Sequence, residues 1–530
     1  MNIIGIGGWD HDANVALLNS QDVLAIGEEE RFCREKHKGK QHAASLAHCL
    51  DRCDHAPIGH ISVGFRDTSI SSQIERAVRA IPELADVECS PVGHHQSHAA
   101  GAFYPSGFDE AVVITLDGYG DNLCSTASFM DGRENKNIWE VPYPHSLGGL
   151  WMSTCFLLGF HMRDAGKLMG LASYGTPRYQ DVLLDEIALK SDGSYEFNLA
   201  KHNPEDFLHS ESSLFLPILG GCRPQSAPIT QEHMDVAASL QRATEVIVLH
   251  ALHAVYTKRP CRNLCLSGGV ALNSTLNGKI TTDAPFNEVF VPPNPGDSGT
   301  GVGSALHLAA NGGYRVNGPL CSRPYLGAEF TQDEIELALL AVGLPFSRAA
   351  HIEKDVAQHL AQGKIVGWFQ GRAEVGPRAL GNRSILADPR RPDMKDLLNS
   401  RVKFREWFRP FAPAVLAEKQ AEWFDTEYES PYMSFVCPVL PHRRLEIPAV
   451  THVDGTARFQ TVRYEHNAKF YRLIAEFEDI TGVPLVLNTS FNTMGDPIVN
   501  SPADAIECFL KSDIDGLAMG DALSIKPMAR

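Results

Sequence analysis

The chain alternates short apolar runs with turns rich in glycine, aspartate and proline. Apolar runs bounded by such turn formers predict β-strands. The first three runs are separated by short turns, so they predict an antiparallel hairpin series. In chain order the runs are "NIIGIGG", "NVALLN", "DVLAIGEE", "AVVITLDG", "NLCLSGG" and "EVFVPP".

Longer stretches between these runs predict helices. One is "MDVAASLQRATEVIVLHALHAVYTK", and a shorter candidate is "HHQSHAAGAF". Strands mixed with helices in this way are typical of an α/β layer fold. At 530 residues the chain is too long for a single core, so we expect more than one domain.

The character of the chain changes near "NGPLCSRPYLGAEFTQDEIELALLAVG". Proline and glycine give way there to a predicted helix that begins after Thr331 and has an acidic first turn. A second unit follows with its own strands, "IVGWF" and "PLVLNTSF", and its own helix, "ADAIECFLKS". We place the boundary within 325–345 and divide the chain into 1–330 and 331–530.

Composition and charge narrow the possible functions. The chain is 44% hydrophobic and 21% charged, which is typical of a globular enzyme, and its net charge is −17. This charge disfavours nucleic acid or an anionic membrane as the main partner. No apolar run approaches the ~20 residues of a membrane span, and the first residues lack the pattern of a signal peptide. Twelve cysteines without a CxxC pair predict buried thiols and a cytoplasmic setting.

Three histidines lie within five residues in "GHHQSHAAGAFYP". On a helix, His94 and His98 would share one face, as pairs of metal-ligating imidazoles do. Asp117 and Asp297 are candidates for the remaining ligands, because Asp117 ends an apolar strand before a glycine and Asp297 follows a proline-rich turn before a glycine-rich helix start. Two imidazoles and two carboxylates suit iron, manganese or magnesium better than zinc. The alternative is a surface helix and two ordinary turn-forming aspartates.

Two glycine-containing segments are candidate phosphate loops. In "LCLSGGVALNSTLN" a strand, a turn and a helix would place Gly268, Gly269 and Asn273 around an anion. "DAGKLMGLASYG" offers Lys167 and Gly170 in a similar context. Neither segment is a Walker loop or a dinucleotide fingerprint, and a plain tight turn explains either of them equally well.

The second unit concentrates basic residues between aromatic residues and prolines. Guanidinium groups grip phosphate with two hydrogen bonds, so this density predicts an oxyanion site, with a solvated basic face as the alternative. Nearby, "LNTSFN" offers Asn488, Ser490 and Asn492 for phosphate contacts or, alternatively, for capping a helix. The basic residues are Arg372, Arg378, Arg383, Arg390, Arg391, Arg401, Lys403, Arg405 and Arg409.

Together these motifs resemble the NodU/CmcH family of O-carbamoyltransferases. The resemblance spans nearly the whole chain, and the arginine-rich block is its most specific part. The motifs are, in order, "WDHDANVAL", "EEERFCREKH", "HHQSHAAGAFYPS", "LDGYGD", "GKLMGLASYG", "LSGGVALN", "GDSG", "GPRALGNRSILADPR", "VKFREWFRPFAP" and "LNTSFN...GDPIV". The resemblance implies an actin-like (ASKHA, ribonuclease H-like) domain over 1–330 and a YrdC-like α/β domain over 331–530.

The resemblance also implies a reaction. Carbamoyl phosphate and ATP, with Mg²⁺, would give carbamoyl adenylate and pyrophosphate in the second domain. The first domain would then transfer the carbamoyl group to a hydroxyl of a small molecule, such as a secondary metabolite or antibiotic. The protein would be a monomer or homodimer with no nucleic acid or membrane partner.

Individual roles follow from the resemblance residue by residue. His11 would be the base that activates the acceptor hydroxyl, and Arg378 and Lys403 would be catalytic. His94, His98, Asp117 and Asp297 would hold a divalent metal, iron(II) by resemblance. The segment "KHKGKQHAAS" lacks the phenylalanine-proline pair that the family often has there, which leaves the acceptor open. Substrate or nucleotide contacts would come from Lys167, Gly170, Gly268, Gly269, Asn273, Arg409, Arg458, Asn488 and Ser490.

Three other functions compete with this one. An ASKHA-type sugar or acetate kinase would explain the first domain and leave the arginine-rich block without a role. A nucleotide-binding regulatory module would need neither His11 nor the metal cluster. A tRNA-modifying enzyme is disfavoured by the charge of −17.

Overall fold

The computed structural model describes residues 2–19, 22–53, 56–132, 134–198, 214–314 and 323–527. They form two compact units. Unit 1 comprises Met1–Trp9, Asn14–Leu24 and Cys53–Ser322, and unit 2 comprises Asp10–Ala13, Ala25–Arg52 and Arg323–Arg530. Unit 2 thus includes two segments from the N-terminal part of the chain. A division by chain position alone would place these segments in the first unit. The assignment of separate roles to 1–330 and 331–530 stays a prediction.

The N-terminal sheet has five strands in the order β3-β2-β1-β4-β5. β1 pairs antiparallel with β2, with Ile3 opposite Leu18, and parallel with β4. The predicted hairpin of the first two runs is therefore confirmed. The bounds are β1 Asn2–Gly7, β2 Asn14–Leu18, β3 Val23–Glu28, β4 Ile58–Val63 and β5 Cys89–Pro91.

A second five-stranded sheet, in the order β12-β11-β6-β7-β8, repeats this plan. Its first strand, β6, again pairs antiparallel with the next strand, β7, and parallel with a later one, β11. The repeated order is that of the predicted actin-like domain, and the α/β class is confirmed. The bounds are β6 Ala111–Gly120, β7 Leu123–Met130, β8 Asn135–Pro142, β11 Asn263–Ser267 and β12 Glu288–Phe290, with a separate hairpin of β9 Ile187–Leu189 and β10 Tyr195–Phe197.

Among the residues that the structure describes, eleven α-helices accompany these two sheets, and both helices predicted above are among them. None of the described helices is long and apolar enough to cross a membrane. The bounds are α1 Glu29–Cys33, α2 Ala43–Leu50, α3 Thr68–Arg79, α4 His94–Ser106, α5 Leu147–Leu157, α6 Ala165–Ala172, α7 Gln180–Leu184, α8 Leu216–Leu219, α9 Gln231–Lys258, α10 Ser274–Asp283 and α11 Thr300–Asn311.

Glycines let α11 pack unusually close to β1 and α4. A Cβ atom on Gly5 would lie 2.0 Å from the carbonyl oxygen of Gly301, and one on Gly303 would lie 1.9 Å from the carbonyl oxygen of Ser97. Real Cβ atoms do not approach so closely, so these positions require glycine. The close contact brings the start of α11 to the first turn of α4, where the histidines lie.

Unit 2 is built on an eight-stranded sheet in the order β13-β22-β21-β14-β15-β20-β16-β19. Its central strands β14, β15 and β16 are buried along their whole length, as their apolar sequences require. The bounds are β13 Ser347–Arg348, β14 Val366–Phe369, β15 Arg383–Ala387, β16 Ala412–Leu416, β19 Gln460–Val462, β20 Leu485–Ser490, β21 Gly516–Met519 and β22 Ala522–Ile525, with a separate antiparallel pair of β17 Val436–Pro438 and β18 Thr456–Arg458.

The predicted helix after Thr331 is confirmed, since Thr331 and Glu334 cap its first turn reciprocally. The assignment of this unit to the YrdC-like domains stays a prediction. Its C-terminal helices are α12 Gln332–Ala341, α13 Ile352–Ala361, α14 Met394–Leu397, α15 Ala468–Thr481 and α16 Pro502–Lys511, and a π-helical turn covers Leu398–Lys403.

Candidate functional site

Four side chains of unit 1 converge on one point. His94 and His98 project from the first turns of α4, Asp117 lies near the end of β6, and Asp297 opens the turn before α11. Their ligand atoms all lie within 4.8 Å of one another. The structure therefore brings together the four residues that the sequence suggested as metal ligands.

The distances within this group, here called the four-ligand cluster, suit a small cation. The two Nε2 atoms of His94 and His98 are 3.1 Å apart, and the Nε2 of His94 is 3.0 Å from Oδ2 of Asp117. Asp297 Oδ1 lies 3.4 Å from His98 Nε2. Atoms bound at about 2.1 Å would be about 3.0 Å apart at right angles and about 3.4 Å apart at the tetrahedral angle. The cluster can hold a divalent metal.

Neighbouring groups hold these ligands in place. The Gly269 N–H donates to Oδ1 of Asp117 (2.7 Å), which leaves Oδ2 toward the histidines. Ser267 Oγ lies 3.3 Å from Nδ1 of His98 and donates to the carbonyl of Pro295. The His94 N–H donates to Asp121 (2.7 Å), which anchors the start of α4. Such outer contacts orient metal ligands in known sites.

The electrostatics of the cluster are those of a buried ion site. Burial opposes a charge on His94, yet the carboxylates of Asp297 and Asp117 raise its pKa to about 9. Burial likewise opposes ionisation of Asp117, but its hydrogen bond with His94 and the nearby His98 hold its pKa below the ordinary value. A proton on His94 thus supplies the positive charge that the carboxylates of Asp117 and Asp297 require, and a bound cation could supply the same charge.

His95 does not join the cluster. Its Nδ1 lies 2.6 Å from Oγ1 of Thr115, and burial together with His94 lowers its pKa to about 3. His95 therefore lies off the helix face that His94 and His98 share.

The Ser-Gly-Gly turn supports the cluster through its backbone. Gly268 has φ +90°, and a Cβ there would meet the Leu116 carbonyl at 2.3 Å. The Gly269 amide is used by Asp117, as described above. Asn273 caps α10 by accepting from the Leu276 N–H, and its amide donates to Gln241. A nucleotide contact by Gly268, Gly269 or Asn273 stays a prediction.

The expected loop context of Lys167 and Gly170 is wrong. Both residues lie inside helix α6, and Gly170 is buried there, so its backbone is in a helical turn rather than an open glycine loop. Lys167 pairs with Asp164 (3.0 Å) and lies over the ring of Phe160. The apolar neighbours Leu168 and Leu171, both fully buried, favour the helix over a turn.

Unit 2 gathers five basic side chains into what we call the cationic cluster: Arg378, Lys403, Arg405, Arg409 and Arg458. Burial and Arg409 lower the pKa of Arg378 to about 10. Burial and the charges of Arg378, Arg405 and Arg409 lower the pKa of Arg458 strongly. The described residues offer no hydrogen-bond acceptor to the buried Nε of Arg458. Buried cations that repel one another, with an unused donor on Arg458, are suited to bind an anion.

Lys403 lies at the end of the π-helical turn and is 2% exposed. Its ammonium group donates to the carbonyl and Oγ of Ser490 and to Asn492 Oδ1 at 2.7 Å. Burial, Arg405 and Arg409 lower its pKa well below the usual value. Ser490 and Asn492 thus contact Lys403, and a direct phosphate contact by Ser490 stays a prediction.

Asn488 has a different place. Its side-chain amide donates to the Ala379 carbonyl (3.1 Å) and to Gln460 (2.9 Å), and the residue is fully buried. These bonds tie strand β20 to the segment that carries Arg378. A direct phosphate contact by Asn488 stays a prediction.

Several arginines of the basic block bond to carbonyl and carboxylate groups of the protein itself. Arg383 is fully buried and donates to the carbonyls of Gln370 and Ala328. Arg390 pairs with Asp388 (2.7 Å), and Arg391 with Asp393 (2.6 Å). Arg372 donates to the Leu326 carbonyl. Neighbouring acceptors engage the guanidinium groups of these residues, and an oxyanion-binding role for them stays a prediction.

Glu374 was not identified from the sequence, yet it organises the segment around Arg378. One carboxylate oxygen, Oε1, accepts from the N–H groups of Leu380 (2.6 Å), Arg383 (3.1 Å) and Asn382 (3.4 Å). The residue is 2% exposed. A lone acidic residue in an arginine- and glycine-rich segment was the available signal.

His11 belongs to the 10–13 segment of unit 2, and its Nδ1 lies 2.9 Å from Oδ2 of Asp12. Its side chain is 36% exposed, so it can meet a substrate. The structure thus gives His11 a carboxylate neighbour that the sequence reasoning did not use.

Comparison with known proteins adds to this geometry. Residues 76–306 match the family model described as carbamoyltransferase N-terminus, and residues 357–526 match the one described as carbamoyltransferase C-terminus. The nodulation protein NolNO of Sinorhizobium fredii is 38% identical over 98% of this chain and 79% of its own length. An uncharacterized protein of Synechocystis is 36% identical over 98% of this chain and 95% of its own. The 3'-hydroxymethylcephem-O-carbamoyltransferase of Streptomyces clavuligerus is 32% identical over 68% of this chain and 64% of its own.

Proposed function

The chain belongs to the carbamoyltransferase family and is a carbamoyltransferase, and from that premise we propose a specific reaction. The enzyme uses carbamoyl phosphate and ATP, with Mg²⁺, to make carbamoyl adenylate. It then transfers the carbamoyl group to a hydroxyl of a small molecule. The cationic cluster is the observation that carries this proposal.

The activating step needs the charge that the cluster supplies. Hydrolysis of carbamoyl phosphate gives carbamate and phosphate, and a carbamate oxygen then attacks the α-phosphorus of ATP as pyrophosphate leaves. Every participant is an anion, so positive charge must offset their repulsion. Arg378 and Arg458 carry donors suited to phosphate oxygens, and each charge-assisted contact is worth roughly 1.5–3 kcal/mol.

Lys403 and its neighbours support the same step. The ammonium group is held by Ser490 and Asn492, and burial together with Arg405 and Arg409 disfavours its charge. A phosphate nearby would reverse that balance and keep Lys403 protonated. Lys403 therefore acts as a fixed point charge beside the phosphates, while the arginines provide paired donors.

The transfer step breaks the bond between the carbamoyl carbon and the adenylate oxygen. The acceptor oxygen attacks this carbon, AMP leaves, and the acceptor's proton must be taken up. We assign the proton uptake to His11, because its side chain is 36% exposed and imidazoles as a class titrate near neutral pH, in the range of a general base.

The four-ligand cluster is suited to iron(II), because two imidazoles with two carboxylates form a mixed nitrogen and oxygen donor set. A divalent metal bound there would polarise a carbonyl oxygen. His94, His98, Asp117 and Asp297 would hold it, with Gly269 and Ser267 orienting the ligands.

The acceptor class follows from a relative. The Streptomyces clavuligerus protein is named for a hydroxymethyl group on a cephem, a small molecule with a primary hydroxyl. We propose a comparable acceptor here, a hydroxylated secondary metabolite or antibiotic. Cys124, Cys155 and Cys265 are buried thiols, which supports a reducing cytoplasm as the setting.

Product analysis tests the proposal. The enzyme is incubated with ATP, carbamoyl phosphate and a small-molecule extract of its source cells. The proposal expects AMP and pyrophosphate, together with a metabolite heavier by one carbamoyl group. Release of ADP instead would favour the kinase alternative and contradict carbamoyl adenylate formation.

A further inference from the structure

Asp12 joins two imidazoles in the N-terminal part of unit 2. Its Oδ2 lies 2.9 Å from Nδ1 of His11, and its Oδ1 lies 2.8 Å from Nδ1 of His37. One carboxylate is thus shared by two rings, each through the same ring nitrogen. All three side chains are between a quarter and about a third exposed, so the arrangement faces accessible space rather than the core.

The backbone fixes this arrangement on both sides. Asp12 has φ +53° and His37 has φ +57°, a region that residues other than glycine rarely adopt. The Ala13 N–H donates to the Lys38 carbonyl, and the Ala13 carbonyl accepts from the Glu29 N–H, both at 2.8 Å. Two unusual backbone conformations held by cross-bonds indicate that the side-chain geometry is specified.

Hydrogen-bond chemistry then determines where the ring protons lie. An ionised carboxylate only accepts hydrogen bonds, so each ring must carry its proton on Nδ1. Burial opposes the charge on Asp12, but the hydrogen bonds with His11 and His37 keep its pKa below the ordinary value, so it is ionised near neutral pH. In a neutral His11 ring, Nε2 is then the nitrogen without a proton.

We propose that Asp12 is a positioning residue for transfer, which holds His11 as the Nδ1–H tautomer so that Nε2 takes the proton of the acceptor hydroxyl. This rests on the role proposed for His11. His37 holds the other oxygen of the carboxylate and so stops Asp12 from rotating away. A carboxylate orients a catalytic imidazole in the same way in serine hydrolases.

A cation held by Asp12, Glu30 and His37 is the competing explanation, since their ligand atoms also lie close together. The contacts favour the tautomer role. Both oxygens of Asp12 already face ring nitrogens at hydrogen-bond distance. Glu30 Oε2 accepts from the backbone N–H of His37 at 2.7 Å. An ion would have to replace those bonds, whereas ring protons satisfy them directly.

The test is ¹⁵N NMR of the full-length protein labelled at histidine, at about pH 8, above the ordinary histidine pKa of about 6.5. The His11 signals are assigned by their loss in His11→Gln. The proposal expects the wild-type His11 ring to be protonated on Nδ1 alone, and Asp12→Ala to abolish that preference. In Asp12→Asn the amide offers one acceptor and one donor, so one of the two rings must move its proton to Nε2.

Two further measurements separate a positioning role from other roles. Carbamoyl-phosphate-dependent ATP–pyrophosphate exchange should stay within about twofold of wild type in Asp12→Ala, since activation does not use His11. Bound metal should also be unchanged. Asp67→Asn is the matched control, because it removes an aspartate charge while asparagine still caps α3, and it should leave the His11 signals unmoved.

Several outcomes would overturn the proposal: a wild-type His11 protonated on Nε2, signals that ignore both Asp12 variants, or loss of metal or of exchange in Asp12→Ala. Absence of exchange in the wild type would instead contradict the proposed function and leave the tautomer result standing.

Discussion

The two carboxylate oxygens of Asp117 have different partners. Its Oδ1 is occupied by the Gly269 amide, so Oδ2 alone faces His94 and His98. The histidine spacing predicted a shared helix face, and that prediction is confirmed. The Gly269 contact could not be predicted, because it joins residues 152 positions apart whose meeting depends on the pairing of β6 with β11.

Removal of one ligand from the four-ligand cluster should release its metal. His98→Ala deletes an Nε2 that lies 3.1–3.8 Å from the other ligand atoms, and we expect bound metal to fall by at least about tenfold. Elemental analysis of purified protein measures this. His95→Gln is the control, since His95 bonds Thr115 outside the cluster, and it should keep its metal. Equal metal in both variants would refute the cluster.

Without metal, the cluster should make stability fall as pH rises. The folded pKa of His94 is about 9, above the unfolded value of about 6.5, so its contribution is fully present below pH ~6.5 and is lost as pH rises through ~9. Urea unfolding of chelator-treated protein at these two pH values should show a loss on the order of 2–3 kcal/mol. His94→Gln should lose less over the same range. Identical pH slopes would contradict the pairing with Asp117 and Asp297.

At the scale of elements, the packing of α11 against α4 connects the sheet to the cluster. A Cβ on Gly303 would lie 1.9 Å from the Ser97 carbonyl, between the two histidines in sequence. Gly303→Ala should therefore lower the free energy of unfolding by roughly 1–3 kcal/mol and reduce bound metal. Gly166→Ala is the matched control, because its added methyl group meets nothing within 4 Å in helix α6, and it should be neutral or stabilising. Equal effects of the two substitutions on metal content would argue against this role for α11.

The segment from Glu374 to Arg383 presents Arg378, and Glu374 holds it through three backbone amides. Glu374→Ala should raise the KM for carbamoyl phosphate by about tenfold or more, since several charge-assisted bonds are lost. Glu374→Gln keeps an acceptor and should recover part of the affinity. Glu336→Gln is the control in the same unit, because Glu336 pairs with the exposed Arg348 and with Gln332, away from the Arg378 segment. An unchanged KM in Glu374→Ala would contradict a positioning role.

Sequence patterns predicted the strands and helices better than the contacts that their side chains make. Apolar runs bounded by turn formers correctly predicted β1, β6, β11 and β14, because such runs are a local property of the sequence. The loop expected around Lys167 was wrong. The segment also carries Leu168 and Leu171, and their burial favours helix α6 over an open glycine turn. The sequence located the block of basic residues. It could not show which of the arginines donate to backbone carbonyls, since that depends on the fold of unit 2.

At the scale of the whole molecule, the repeated strand order of the two five-stranded sheets supports the predicted actin-like architecture. Chain position did not predict that residues 10–13 and 25–52 group with the C-terminal unit, because such grouping depends on contacts between segments far apart in sequence. His11 and Asp12 therefore belong, by their contacts, to the same unit as the cationic cluster. The grouping of segments along the chain is therefore less simple than two consecutive domains, and separate chemical roles for 1–330 and 331–530 stay a prediction.

Carbamoyl-phosphate-dependent exchange of labelled pyrophosphate into ATP tests the central claim most directly, and it needs no knowledge of the acceptor. We expect the wild type to exchange only when carbamoyl phosphate is present. Arg378→Ala should lower the rate about tenfold to a hundredfold by removing phosphate contacts. Arg391→Ala, which removes an arginine paired with Asp393, should stay near wild type. Exchange without carbamoyl phosphate, or an equal loss in both variants, would contradict the assignment of adenylate formation to the cationic cluster.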